Sequence, residues 1–141
     1  MTFIDTNFFL RFLLSDINDQ HQTAKALLKK GAEGKKSLCT SIIVFFELYF
    51  VLSSFYKTNK KNLADILSKI LKMRFVRLPE RDLLADALSL FSKNNVSLED
   101  AYNIIYAKSL NITDFASFDR KLLRLYTHLT QVCSPDLIGT D

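Results

Sequence analysis

Four carboxylates, Asp5, Glu47, Asp100 and Asp119, stand where an isolated acid is hard to account for by structure alone. Glu47 carries the most information. It lies within the run Ile42-Ile43-Val44-Phe45-Phe46-Glu47-Leu48-Tyr49-Phe50-Val51-Leu52. A helix built from that run is apolar around its whole circumference and is expected to be buried on most sides. A carboxylate there faces a desolvation cost of several kcal/mol unless something compensates it. No Lys or Arg lies within one helical turn of it. A Glu that snorkels to the surface or pairs with a distant Arg is one account; a bound cation or a functional cleft is the other. Asp5 directly follows an apolar segment that reads as a strand, and in parallel α/β sheets ligands bind beyond the carboxyl ends of the strands. Asp119 repeats the arrangement after Phe115-Ala116-Ser117-Phe118. Each of these two Asp residues is equally a good helix N-cap. Ser117 can place a hydroxyl beside Asp119. Asp100 falls in the first turn of a helix, where Ser97 and Asp100 form a capping-box pattern. Glu99 beside it is an alternative acid, and Asn103, one turn on, shares its face. Asp114 opens its predicted strand at the amino end, the wrong end for the crevice.

An oxygen-only cluster without His or Cys suits a hard cation, Mg²⁺ or Mn²⁺, rather than Zn²⁺. Three or four carboxylates can hold one or two such ions. In two-metal sites the ions sit roughly 3.5–4 Å apart and clamp the attacking and leaving oxygens of a phosphoryl displacement. The chemistry implied is metal-assisted hydrolysis of a phosphodiester, with all four acids serving as ligands and as catalytic groups. Such a site requires the four to converge on one metal-sized space.

The elements that must position these acids follow from periodicity and punctuation. Thr2-Phe3-Ile4 reads as a short buried strand ended by Asp5-Thr6-Asn7, and Phe8–Leu14 as a helix. A polar break at Asp16–Asp19 leads into an amphipathic helix, Gln20–Lys30, which Gly31 and Gly34 end. Ser37–Thr40 is strand-like, and Ser41 can cap a helix over Ile42–Tyr56. Asn59–Met73 presents Leu63, Ile66, Leu67, Ile70 and Leu71 on one face. Phe75–Leu78 is a strand stopped by Pro79, and Glu80–Lys93 and Leu98–Leu110 are helices. Asp114–Phe118 reads as a strand, Asp119–Tyr126 as a short helix and Leu129–Cys133 as a last strand. Strands alternating with helices predict an α/β layered fold with a mostly parallel central sheet. A single domain over residues 1–141 is expected, with 136–141 a loose tail.

Composition narrows the function class. The chain has 141 residues, a formal net charge of +4 and a sequence pI near 9.1. That modest positive excess is compatible with a phosphate-bearing partner. Lys57, Lys60 and Lys61, together with Arg120 and Lys121, are candidates for contacts to a nucleic-acid backbone. Lys29 and Lys30 suit the last turn of a helix instead. Cys39 and Cys133 are too few for a disulfide scaffold and are expected as buried free thiols of a cytoplasmic protein. His21 and His128 are expected at the surface. The apolar N-terminus is interrupted by Asp5, Asn7 and Arg11 and lacks signal-peptide features. No run reaches membrane-spanning length without a charge.

The order Phe3-Ile4-Asp5-Thr6-Asn7, then Glu47 in an apolar helix, then Glu99-Asp100-Ala101, then Ser117-Phe118-Asp119-Arg120 resembles the PIN domain, and most of all the toxin ribonucleases of the VapBC type of toxin–antitoxin pair. The resemblance covers nearly the whole chain. Each motif is short, and its specificity lies in the four occurring in order at family-like spacing. It implies a three-layer α/β/α fold and Mg²⁺- or Mn²⁺-dependent endoribonuclease activity. It also implies metal-binding acids at Asp5, Glu47, Asp100 and Asp119, with Asn7 and Ser117 as supporting polar residues. RNA as substrate, a cognate antitoxin as partner and a homodimer follow from the same resemblance. Tyr102-Asn103-Ile104-Ile105-Tyr106 is bulkier than the small-residue helix associated with the family. Rival readings are a non-catalytic member of the fold that binds RNA or protein, a DNA nuclease, and a phosphoryl-transfer receiver or phosphatase. The last wants paired acids near the first strand, and Asp5 has no acidic neighbour.

Overall fold

The computed structural model describes residues 1–132. Three short strands form a parallel sheet: β1 (Thr2–Phe3), β2 (Leu38–Cys39) and β3 (Val76–Arg77), in the order β1-β2-β3. Thr2 stands opposite Leu38 and Phe3 opposite Cys39, while Leu38 and Cys39 face Val76 and Arg77. Parallel strands need helical crossovers, and seven α-helices occupy the rest of the described chain. They are α1 (Thr6–Leu14), α2 (Asn18–Ala32), α3 (Ile42–Phe50), α4 (Lys60–Lys72), α5 (Arg81–Lys93), α6 (Leu98–Ser109) and α7 (Arg120–Val132). Between α3 and α4 the chain widens into a π-helical turn, Val51–Phe55. The arrangement is an α/β fold layered on a parallel sheet, as the sequence pattern predicts, and has the three-layer α/β/α form that the resemblance implies. Ile4, Phe9, Phe45, Leu48, Leu52 and Leu67 are among the fully buried side chains that join the layers.

Caps fix where the helices begin. Asp5 accepts from Phe8 N–H at 2.9 Å, Ser41 from Val44 N–H at 3.2 Å, Asn59 from Asn62 N–H at 2.9 Å and Ser97 from Asp100 N–H at 3.1 Å. Each satisfies a backbone donor that the helix leaves free. Ser97 and Asp100 form only half of a capping box, since no bond returns from Ser97 N–H to the Asp100 carboxylate.

Several sequence expectations are corrected. Asp114–Phe118 is not a strand: Phe115 and Ser117 are half-buried and Asp114, Ala116 and Phe118 exposed. The alternation is strand-like, but the segment makes no ladder bonds with the three strands. The predicted strand Leu129–Cys133 is helical as far as Val132, and Cys133 lies outside the described residues, as does the tail 136–141. Leu122, Leu125, Tyr126 and Leu129 recur at helical spacing, and packing of that face overrides the β-preference of the last residues. The helix after Asp119 is therefore longer than predicted. His21 is half-buried, with its ring stacked on Phe12 at 6.0 Å, while His128 is exposed.

Gly31 does not end α2; the helix continues to Ala32, and Gly34 takes the left-handed conformation with φ +74°. Gly31 is there because β2 passes close by. A Cβ on it would overlap Leu38 Cδ1 and lie 3.1 Å from Phe75 Cδ2. Ala would gain up to about 1 kcal/mol of helix propensity, but overpacking costs typically 1–3 kcal/mol. Gly31→Ala is expected to lower stability by about 1–2 kcal/mol net, read as a lower urea midpoint at unchanged m-value.

A second device holds α5 to α6. Tyr102 hydroxyl donates to Glu80 Oε2 at 2.5 Å, and Glu80 itself sits in the left-handed region with φ 55°. Burial and then the bond to Glu80 push the Tyr102 phenol up to about 12. The protonated phenol is the donor, so its contribution is complete below the unfolded value near 10 and is lost as pH climbs towards 12. The stability advantage of the native protein over Tyr102→Phe is expected to be constant from neutral pH up to about 9 and to shrink across that alkaline window in urea titrations at stepped pH.

Candidate functional site

The carboxyl end of β1 is where the acids begin to gather. Ile4 N–H donates to Cys39 carbonyl at 2.8 Å, and the buried Thr40 hydroxyl donates to Ile4 carbonyl at 2.8 Å. The strand is thereby held until Ile4, and Asp5 leaves it directly into α1. Asp5 and Asn7 are exposed, and Thr6, between them, is only 8% exposed. Thr6 hydroxyl donates to Glu47 Oε2 at 2.5 Å. That bond joins the first turn of α1 to the middle of α3 and ties Glu47 to the residue that follows Asp5. Thr6 was not among the residues singled out from sequence. Its only signal there is a hydroxyl one residue after an acid at a strand end.

Glu47 is not buried, which corrects the sequence reading. α3 turns Val44, Phe45 and Leu48 into the core, and Ile43, Glu47 and Phe50 lie at i, i+4 and i+7 on an exposed face. Ile43 is 66% and Phe50 63% exposed. The helix is apolar all round because its outer face is apolar too, not because protein encloses it.

The other two acids approach from α6 and α7. Burial pushes the Tyr49 phenol up, the Leu98 backbone opposes this, and the charges of Glu99 and Asp100 add to the rise. α3 therefore packs against the acidic first turn of α6. Asp100 is partly buried, and Glu99 and Asn103 are exposed. Asp119 caps α7, with Oδ1 accepting from Lys121 N–H at 2.9 Å and Leu122 N–H at 3.4 Å. Ser117 hydroxyl accepts from Asp119 N–H at 3.0 Å, which shapes the bend before the helix. Phe118 between them is fully exposed. The Lys121 ammonium donates to Asn95 carbonyl, so the start of α7 lies against the loop that leads into α6. Lys57 is exposed, as are Lys60, Lys61 and Arg120.

A cleft of about 310 Å³ opens between α1 and α2, bounded by Asp5, Asn7 and Arg11 on one side and Asp19, Gln20 and Thr23 on the other. Arg11 does not neutralise Asp5, because its guanidinium is spent on Asp16 at 2.9 Å. The donors available near the acids are carboxylates, hydroxyls and amides, the oxygen set that suits Mg²⁺ or Mn²⁺. Among the described residues, however, no three Asp, Glu, His or Cys side chains stand close enough to hold a metal ion together. The structure pairs Thr6 with Glu47 beside Asp5, and sets Asp100 and Asp119 at neighbouring helix starts. It does not close the four acids on one point.

The comparisons agree with this architecture. A curated protein described as "VapC ribonuclease", from Aquifex aeolicus (strain VF5), is 22% identical over 125 residues, covering 89% of this chain and 92% of that protein. No solved structure matches. The model of the PIN domain matches residues 2–127, and the chain belongs to the PIN domain family.

Proposed function

We propose that this protein is a Mg²⁺- or Mn²⁺-dependent endoribonuclease that hydrolyses RNA phosphodiester bonds, the toxin of a toxin–antitoxin pair. The observation that carries the reading is Glu47, an exposed acid on a bare apolar helix face, held by the buried Thr6 hydroxyl beside Asp5. An exposed carboxylate that served solvation alone would keep its rotamer freedom rather than a fixed partner. The likeness to a protein described as a VapC ribonuclease supports RNA as the substrate.

In this reading Asp5, Glu47, Asp100 and Asp119, no three of which converge by themselves among the described residues, would be drawn together by one or two ions, with Asn7, Ser117 and Asn103 as polar support. When bound, the ions supply a Lewis acid and an activated water at the scissile phosphate. The chain's own residues do the rest. Asp5 and Asp119 each spend Oδ1 on a cap and leave Oδ2 free among the described residues. Among the described residues Asp100 spends neither oxygen, and Glu47 keeps Oε1. The starts of α1, α6 and α7 place the positive ends of helix dipoles at three of the acids. Arg120, Lys121, Lys57, Lys60 and Lys61 are the candidates for backbone phosphates. The exposed apolar residues Ile43, Phe50, Phe55 and Tyr56 support a protein partner, a second copy or the antitoxin. A cytoplasmic location belongs to the same reading.

A second reading is a non-catalytic PIN-fold module that binds RNA or protein. The observation in its favour is that no three acids converge among the described residues. Cleavage of labelled RNA separates the two. Native protein is expected to cut RNA with Mg²⁺ or Mn²⁺ and to stop on chelation. Asn caps a helix as well as Asp, so Asp5→Asn removes a ligand charge and keeps the cap. It is expected to fold normally and to lose about a hundredfold or more of the rate, since metal-based charge stabilisation is worth several kcal/mol. Undiminished cleavage by Asp5→Asn sinks the ligand assignment, and RNA bound but uncut by native protein under either ion establishes the second reading.

Thr6 is proposed as the positioning residue for Glu47. A hydrogen bond to a charged group contributes about 1.5–3 kcal/mol. Thr6→Val is therefore expected to lower kcat by about ten- to a hundredfold, with Thr6→Ser restoring most of it. Equal activity in Val and Ser variants would show the hydroxyl to be structural only.

A further inference from the structure

A second concavity among the described residues lies away from the four acids. It is a groove of about 700 Å³ between α4 and α5. Lys60 and Lys61 stand at one end, and Lys72, Arg74 and Arg81 at the other. Only Asp65 and Asp82 oppose these five cations. Ser68, Ser89 and Ser92 are also among the lining residues, the Ser92 hydroxyl donating to Ser89 carbonyl at 2.8 Å. From Lys60 to Lys72 α4 rises about 18 Å at roughly 1.5 Å per residue, so the two basic ends are separated by the length of the helix.

The charge in the groove is not neutralised from within. Lys60 ammonium donates to Asn94 carbonyl and sits 4.8 Å from the centre of the Phe91 ring. Arg81 guanidinium donates to the carbonyls of Leu71 and Val76. These are neutral acceptors that fix the cations and leave their charge unpaired. Neither Asp65 nor Asp82 forms an ion pair with a groove cation among the described residues. Burial, and then the neighbouring Arg74 charge, push the Arg81 guanidinium below its ordinary value, and the Asp82 charge opposes this only in part. Two like charges crowded together are relieved by an anion between or beside them.

The groove also leads towards the acids. At its Lys60 end it meets Asn94, and the next residue, Asn95, receives the Lys121 ammonium from the first turn of α7. That turn begins at Asp119, and the loop leads through Ser97 to Asp100. A basic track therefore runs from Arg74 and Arg81 along α4 and α5 to the helix starts that carry two of the four acids.

We propose that the α4–α5 groove is an exosite that binds the phosphate backbone of a single RNA strand whose scissile bond lies at the acids. The proposal rests on the nuclease reading for the position of that bond, but the binding itself does not. Backbone phosphates are recognised by spaced cations and hydroxyls without regard to sequence. The site therefore supplies affinity and strand direction rather than base choice.

The test uses Lys72→Glu combined with Arg74→Glu, two exposed residues at the end far from the acids. A urea titration first confirms unchanged stability. Binding of a long single-stranded RNA and of a tetranucleotide is then measured by fluorescence anisotropy without divalent ions, across a salt series. The double variant is expected to bind the long RNA on the order of tenfold more weakly, with a log–log salt slope shallower by about 1.4, or about 0.7 for each phosphate of a single strand that the variant no longer neutralises. The tetranucleotide is expected to bind weakly, with a smaller salt slope. With Mg²⁺ or Mn²⁺ added, KM for long RNA should rise in the same proportion while kcat holds, and cleavage of the tetranucleotide, too short to reach the groove from the acids, should be unchanged. Equal binding of long RNA by variant and native protein overturns the proposal, as does an equal loss of cleavage on both lengths. Loss of polyglutamate binding with RNA binding intact overturns it in favour of an acidic peptide. If native protein binds RNA and cuts none, the nuclease reading falls while the length and salt dependence still judge the groove.

Discussion

The point at which β1 stops organises the candidate site. The strand is only two residues long, and its pairing with β2 would drift without support. The Thr40 hydroxyl on Ile4 carbonyl supplies that support from a buried position. It occupies an acceptor that a continuing strand would use, so the chain turns at Asp5. Asp5 then caps α1, and Thr6 falls one residue into the helix, facing α3. Shifting the turn by one residue would rotate Thr6 by about 100° around α1 and carry its hydroxyl away from Glu47. The position of an acid on α3 is thus set by a hydroxyl on β2's end and another on α1.

Much of the fold was legible because its punctuation is local. Ser41, Ser97 and Asp5 announce helix starts through side-chain chemistry that acts within three residues, and the structure puts a cap at each. The three short parallel strands were visible as apolar runs between helical patterns. What failed depended on partners far away in sequence. The segment 114–118 has the alternation of a strand, but a strand is defined by its neighbour and no ladder forms. Residues after Tyr126 have β-preferring types, yet the face they share with Leu122 carries them on as helix. Gly31 has the signature of a helix stop because glycine usually is one; the close passage of Leu38 is invisible from the sequence of α2.

Glu47 shows the same limit in a more instructive form. The inference from an all-apolar helix to an all-buried one assumes that apolar surface is covered by the chain's own core. Here Ile43 and Phe50 are left outside with Glu47. The desolvation argument that made Glu47 conspicuous therefore does not hold as stated, since water reaches it. What keeps it conspicuous is different. An exposed Glu has no need of a fixed partner, and most would trade rotamer freedom for solvent. This one is tied by Thr6, whose own side chain is buried and has to find an acceptor.

For Asp5 and Asp119 the choice between helix cap and ligand turns out to be a false one. A carboxylate offers two oxygens and about four acceptor positions. In each residue Oδ1 serves the backbone N–H groups of the helix start, and Oδ2 has no partner among the described residues. The cap fixes χ1 and aims the second oxygen, and it does so at low entropic cost because the helix is already formed. A capping geometry is thus a way of preorganising a ligand rather than evidence against one. The sequence pattern of strand, Asp and helix is ambiguous because the same local arrangement serves both ends. Only the company each acid keeps distinguishes them: Glu47 beside Asp5, and the starts of α6 and α7 meeting at Asn95. Two caps far apart would be two caps. Asp119 at a helix start that adjoins the one bearing Asp100, and Asp5 next to the residue that tethers Glu47, make a polar surface whose free oxygens have no structural task among the described residues.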